Sequence, residues 1–410
     1  MSTPSVSPIP VACAPVPAHV ADLPRGVVLL LAVASGLSVA NVYYAQPLLD
    51  ALAQDFAIAP AAVGGVVTAT QVGCALALLL LVPLGDALDR RRLMAGQGLA
   101  LVGALLTVAM ARSAPVLLAG MVAVGLLGTA MTQGLIAYAA SAAAPRERGQ
   151  VVGTAQGGVF IGLLLARVFA GTVSDLAGWR GVYVCAALAM LAIAVPLWRC
   201  LPVLPAVVAA PSYQRLLASM LTLLRQDRTL QVRGTLALLM FAALNIFWSA
   251  LVLPLRAPPY GFSHTAIGAF GLVGAIGALA AARAGRWADR GHAQRTSAAA
   301  LALLVLAWWP LSAMDGALWA LVLGIVLLDL GGQALHVTNQ SLILRSPEAH
   351  SRLIGLYMLF YAVGSGLGAI ATTWTYARAG WSGVCGLGAA VSGLALAVWA
   401  LTLRSADASR

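Results

Sequence analysis

A chain of 410 residues that is 61% hydrophobic and 9% charged has too few polar side chains to cover a water-soluble surface, since soluble domains carry about 25% charged residues. That excludes a soluble enzyme, a free nucleic-acid-binding domain and a disordered chain. The net charge of +11 comes from 24 basic residues, all of them arginine, against 13 acidic ones, and their placement reads as a topology signal, not a nucleic-acid footprint.

Residues 1–25 are rich in Pro, Ala and Val and lack the pattern of a signal peptide, so they are expected to form a cytoplasmic tail. A bilayer core of about 30 Å takes about 20 apolar residues per helix. Twelve spans then fall at 26–47, 62–84, 93–111, 115–140, 150–174, 180–200, 232–254, 265–284, 296–314, 317–341, 353–375 and 381–403. The connection 201–231, with Pro202, Pro205, Pro211 and several arginines, separates six-helix groups at 26–200 and 232–403, and 404–410 is a second cytoplasmic tail. The expected fold is an all-α integral membrane protein of two pseudo-symmetric six-helix bundles. With the N-terminus inside, nineteen arginines face the cytoplasm, only Arg112, Arg180, Arg256 and Arg378 face outwards, and Arg167 lies within a span. The expected location is a bacterial cytoplasmic (inner) membrane with both termini cytoplasmic. The five cysteines form no Cys-x-x-Cys pair and stand apart from histidine, so neither a metal site nor a disulfide framework is expected.

The two halves repeat each other. Asn41-Val42-Tyr43-Tyr44 matches Asn245-Ile246-Phe247-Trp248, and Gly178, Trp179 and Gly181 match Gly380, Trp381 and Gly383, all at an offset near half the chain. Six helices per half in the same orientation make a parallel repeat, a feature of secondary transporters.

The loop Gly85-Asp86-Ala87-Leu88-Asp89-Arg90-Arg91-Arg92 and its second copy Gly285-Arg286-Trp287-Ala288-Asp289-Arg290-Gly291 resemble the Gly-x-x-x-Asp-Arg signature of the major facilitator superfamily. Arg92 holds the place of the usual later glycine. The resemblance covers essentially the whole chain. Asn41 to Tyr44 with Gln46-Pro47, and Ala166-Arg167, further resemble bacterial twelve-span drug and nucleoside exporters, drug–proton antiporters among them. Two features depart from that group: Met121 stands where its antiporters carry a span-four arginine, and their Gly-Pro pair of span five is not evident. The resemblance places Asp89 and Asp289 near Arg352 and Arg148 at the starts of spans eleven and five. It implies a cytoplasmic latch of Gly85, Asp89, Arg90, Gly285, Asp289, Arg290, Arg148 and Arg352. The alternative is that these charges only set topology.

Ionisable groups inside spans are costly and usually functional. Asp329 alone among the acidic residues falls deep in a span, about 18 Å from its outer end at 1.5 Å per residue. Asp329, Gln333, His336 and Gln340 share one helical face. Asp329 is thus the leading proton-coupling candidate, with His336 as a relay and Arg167 as counter-ion or clamp for an anionic group. The competing readings are a carboxyl held in a polar helix contact, a neutral histidine satisfied by a neighbouring helix, and a snorkelling arginine. Asn41, Tyr44, Gln71, Gln133, Gln156, Asn245, Trp248 and Gln333 suit a mostly apolar cavity with a few orienting hydrogen bonds, or else interhelical hydrogen bonding.

The expected function is secondary active transport of a small, moderately hydrophobic organic solute by alternating access, as proton-coupled efflux. Alternatives are import or uniport of a metabolite such as a sugar or nucleoside, and, from another class, a non-transporting membrane sensor. The expected partners are the solute, protons and the lipid bilayer, with a monomeric chain and no cofactor. No catalytic grouping and no phosphate-binding loop is apparent, so an enzyme is not expected.

Overall fold

The computed structural model describes residues 23–407 apart from 87, 203–212, 315–316 and 344–349. Most of the two expected tails (1–22 and 408–410), the middle of the connection and the side chain of Asp289 lie outside the described residues. What is described is helix and turn, with no strand.

Eight stretches among the described residues are long and apolar enough to cross a bilayer. Two of them, Arg148–Cys200 and Arg352–Leu403, have the length of two crossings each, and the shorter Arg25–Ala40 and His264–Gly277 complete a set of twelve. The first span continues past Ala40 through turns and the 3-10 segment Gln46–Leu48 into Leu49–Asp55. Pro47 has no N–H for the helical ladder, which accounts for the tightening there. Spans two to four are Gly65–Gly85, Arg90–Ala109 and Ala114–Ala142. Spans seven to ten are Arg228–Arg256, His264–Val273 with Ala275–Trp287, Arg290–Ser312 and Leu318–Ile343.

Spans five and six break at Gly178 (φ 71°) and spans eleven and twelve at Gly380 (φ 59°). This left-handed backbone costs an L side chain roughly 1–2 kcal/mol, so glycine turns the chain at both equivalent points. The tryptophan after each glycine pins the corner. Trp179 Nε1 donates to Asp55 Oδ2 at 3.1 Å, and Trp381 Nε1 donates to the Leu311 carbonyl at 2.8 Å.

Within each half, glycines set close helix contacts of the same kind. A Cβ on Gly162 would lie 2.2 Å from the Gly36 carbonyl oxygen, and one on Gly364 would lie 2.1 Å from that of Leu238. These are the contacts of span five with span one and of span eleven with span seven, equivalent pairs under the repeat. Small residues permit such approach where no hydrophobic gain drives helices together.

Among its described residues the connection carries the helix Tyr213–Gln226, which buries Leu216 and Met220 and whose Tyr213 hydroxyl donates to the Leu80 carbonyl at 2.9 Å. The two halves also meet at the end remote from the arginine-rich loops, called the outer end below after the orientation that the arginines lead one to expect. There Asp50 of the first half receives Arg256 Nε at 2.9 Å, and Asp175 accepts the backbone N–H groups of His264 (3.1 Å) and Thr265 (2.8 Å) from the second.

Candidate substrate and proton site

Arg167 and Asp329 come from spans five and ten, in opposite halves, and line one buried cavity of about 70 Å³. Both side chains are nearly inaccessible, at 6% and 9% exposure. Span eight runs between them and presents its glycines to each. Gly268 and Gly271 lie against Arg167, and Gly274 and Gly277 lie against Asp329. The every-third-residue glycines of that span therefore bring both ionisable groups to the cavity wall. By contrast Gly153 and Gly157 of span five have open space where a Cβ would stand.

Arg167 does not form an ion pair with Asp329. Its Nε and Nη2 both donate to Gln46 Oε1, at 3.2 and 2.9 Å. Gln46 Nε2 donates to Asn245 Oδ1 at 3.0 Å, and Asn245 Nδ2 donates to Ser365 Oγ at 2.9 Å. This chain of amides carries Arg167 of the first half across to spans seven and eleven of the second. The guanidinium also lies 4.1 Å from the ring centre of Trp248 and 5.5 Å from that of Tyr43, within cation–π range. The Tyr43 and Tyr361 hydroxyls are hydrogen-bonded to each other between the halves.

A second, larger cavity of about 330 Å³ shares Tyr43, Phe160, Leu163, Phe241, Gln333 and Tyr361 with the first and extends towards the arginine-rich end. Gln133, Gln156, His336 and Gln340 face it among mostly apolar neighbours. The His336 ring Nδ1 sits 2.9 Å from the Tyr357 hydroxyl of span eleven, and Phe241 packs edge-on against the ring.

The expected cavity residues thus divide. Gln133, Gln156, Asn245, Trp248 and Gln333 line one chamber or the other. Asn41, Tyr44 and Gln71 are buried outside the lining of either chamber: Asn41 Nδ2 donates back to the Leu37 carbonyl of its own span at 2.8 Å, Tyr44 packs on Phe169, and Gln71 lies against Gly366. Sequence reasoning missed Gln46, Tyr43 and Tyr361 as cavity residues. The first two stood inside quoted motifs; Tyr361 carried no local signal.

In the expected latch, Asp89 caps span three. Its Oδ1 accepts from the backbone N–H of Arg91 at 2.9 Å and of Arg92 at 3.4 Å, and its Oδ2 stands 3.7 Å from Arg92 Nε. All its described partners are in its own helix. Gly85 and Arg90 line a third cavity of about 260 Å³ at the same end, with Gln97 and Gln133. Arg148 and Arg352 stand at the starts of spans five and eleven. Gly285 faces Val337, and Arg290 is exposed.

Twelve membrane-crossing helices in two repeated halves, with a polar cavity between the halves, define a multi-pass membrane transporter and not an enzyme. The chain belongs to the major facilitator superfamily, whose family model matches residues 29–347 and 236–410. It is 40% identical over 379 residues to YgaY of Escherichia coli (strain K12), an uncharacterized transporter, covering 92% of this chain and 96% of that one. Solved structures share the fold. A peptide transporter POT in complex with sulfate gives a TM-score of 0.73 at 13% identity, covering 92% of this chain and 96% of that one. A bacterial homologue of the lysosomal transporter Spinster, inward-facing and occupied, gives 0.72 at 14% identity, with the same coverage of 92% and 96%.

Proposed function

We propose that this chain is a proton-coupled secondary transporter of a small organic solute in the bacterial inner membrane, with Asp329 as the proton carrier. One observation carries the reading: a buried carboxyl and a buried guanidinium, from opposite halves, line a single cavity without pairing directly. A charged carboxylate held in a membrane interior needs water, a cation or a proton. Rocking of the halves changes its access to each, and so ties proton movement to solute movement. Gln46 and Asn245 link the halves beside this site, so proton or solute binding acts on the contact that must rearrange. The hydrogen-bonded outer end and the larger chamber on the arginine-rich side suit a state closed outwards.

The latch reading has a place in the same cycle. Among the described residues Asp89 is engaged within its own helix, and a first-half latch carboxylate that has not docked on the starts of spans five and eleven suits an outwardly closed state. The test is transport in reconstituted vesicles with and without an imposed pH gradient. Asp329→Asn is expected to abolish the response to the gradient while solute exchange continues. A retained response sinks the assignment of Asp329.

A further inference from the structure

We infer that the solute is a small organic monoanion, bound through its carboxylate to Arg167 and carried in the same direction as the proton. This rests on the reading of Asp329 as the proton site. Arg167 stays charged at any physiological pH, and it is almost wholly buried. Its sole hydrogen-bond acceptor among the described residues is one neutral oxygen, Gln46 Oε1, which takes both Nε and Nη2. Nη1 donates to none of the described residues, although the side chain lines the smaller chamber. Trp248 and Tyr43 stack near the guanidinium but supply no acceptor in its plane. A planar carboxylate supplies two, and guanidinium–carboxylate pairing is among the strongest hydrogen-bonded contacts.

The chambers set the rest of the molecule. About 70 Å³ beside Arg167 takes a head group, and the adjoining chamber of about 330 Å³ takes a body, within the range of small-ligand sites. Among the described residues, the larger chamber is lined by no Asp, Glu, Lys or Arg; it offers amides such as Gln133, Gln156 and Gln340 amid apolar side chains. One anionic group on an otherwise uncharged body fits both chambers.

Charge then decides the direction of coupling. With Asp329 ionised, it and Arg167 already cancel, and an added anion leaves the buried site with a net negative charge. With Asp329 protonated, the anion and Arg167 cancel. Each of anion and proton therefore favours the other, and the preference is reciprocal. The loaded site is neutral, so the two cross together as a symport. An exporter driven by proton entry needs the opposite, a solute that competes with the proton, as a cation at Asp329 would. The other titratable groups lining the two chambers are Tyr43 of span one and Tyr361 of span eleven, bound to each other; Cys74 of span two; and His336 of span ten, held by Tyr357.

The test uses the purified full-length protein and a matched panel. Phenyl- and alkyl-substituted monocarboxylates of increasing chain length are compared with the primary amide and the amine of each skeleton, by thermal stabilisation and titration. The carboxylates are expected to bind at least about ten-fold more tightly than their amides. Arg167→Lys is expected to keep part of that preference and Arg167→Gln to lose it. If Arg167→Gln fails to fold, the wild-type ranking decides alone. No stabilisation by any carboxylate, or preference for the amine, overturns the anion site. In vesicles, a proton gradient is expected to drive the best carboxylate in the direction of proton flow; movement against proton flow overturns the symport. Asp329→Asn should still bind the carboxylate but ignore the gradient. Carboxylate binding with an unchanged gradient response in that variant overturns the proton assignment while leaving the anion site standing.

Discussion

His264 joins the two halves of the molecule by pointing both ring nitrogens at carboxylates of the other half, Nε2 at Asp50 Oδ1 (2.9 Å) and Nδ1 at Asp175 Oδ1 (3.1 Å). The hydrogen bond to Asp50 raises the imidazole above its usual value, against the effect of burial. Burial alone would raise both carboxyls. Donation from His264 and Arg256 nevertheless holds Asp50 low, and donation from Thr265 and His264 brings Asp175 down to about 2. All these contacts part if the outer end opens. The contribution of His264 to the closed state is complete below the ordinary histidine value of about 6.5 and is lost as pH rises through its raised value. The carboxylates contribute above their ordinary value of about 3.9 and lose that contribution on acidification. Spin labels at Ala57 and Ala257 should therefore move apart as the pH is raised from about 6 to about 9. His264→Gln should remove the pH response, and Asp50→Asn should favour the wider distance throughout. A distance that ignores pH in the wild type counts against the seal.

Asp89 offers a way to separate a helix cap from a latch. Asparagine caps a helix about as well as aspartate, whereas alanine costs about 1 kcal/mol. Since Asp89 accepts the first N–H groups of span three, thermal stability should fall in Asp89→Ala and hold in Asp89→Asn. If the carboxylate also docks on the starts of spans five and eleven during the cycle, both variants should transport poorly at equal expression. Normal transport by Asp89→Asn would leave Asp89 as a cap alone.

Much of this architecture is legible in the sequence because a bilayer imposes it. The breaks at Gly178 and Gly380 were visible as a repeated Gly-Trp pair, and Asp329 and Arg167 stood out because charges are rare inside spans. Helix periodicity does not say which face of a buried helix meets a cavity, however, since every face is apolar. That is why Asn41, Tyr44 and Gln71 read as cavity residues but are buried outside the chambers, whereas Gln46, quoted only as part of a motif, and Tyr361 were not read as cavity residues. The contact of Gln46 with Arg167 joins positions 121 apart in the chain, and neither residue's local pattern announces the other. The sequence offered Arg167 as either a counter-ion of Asp329 or a clamp for an anionic group; only the geometry, in which Arg167 donates to Gln46, bears on that choice.

Orientation is open to a direct measurement. The arginine distribution places the start of span five inside and the turn after span three outside. Gly149 and Met110 are both exposed. Single cysteines at these positions, in a chain without other cysteines, should react with an impermeant reagent from opposite faces of the membrane. Reaction from the same face would contradict the twelve-span topology.

The glycines of span eight give paired substitutions with different outcomes. A Cβ at Gly268 would stand 2.3 Å from the backbone carbonyl oxygen of Arg167, whereas one at Gly274 would stand 2.6 Å from Asp329 Oδ2, the end of a side chain. Backbone in a packed helix has little room to retreat, and overpacking of this kind costs typically about 1–3 kcal/mol. Gly268→Ala should therefore destabilise the contact of spans five and eight and shift the population towards states in which they separate. The accompanying sign is a wider outer end by the Ala57–Ala257 distance. In Gly274→Ala the carboxylate can rotate away, so the fold and the outer distance should change little. The displaced carboxylate should instead lose its alignment with the cavity, and gradient-driven transport should fall while solute binding is kept. Equal effects of the two substitutions on the outer distance would mean that span eight is merely a close-packed helix, without a separate role in placing Asp329.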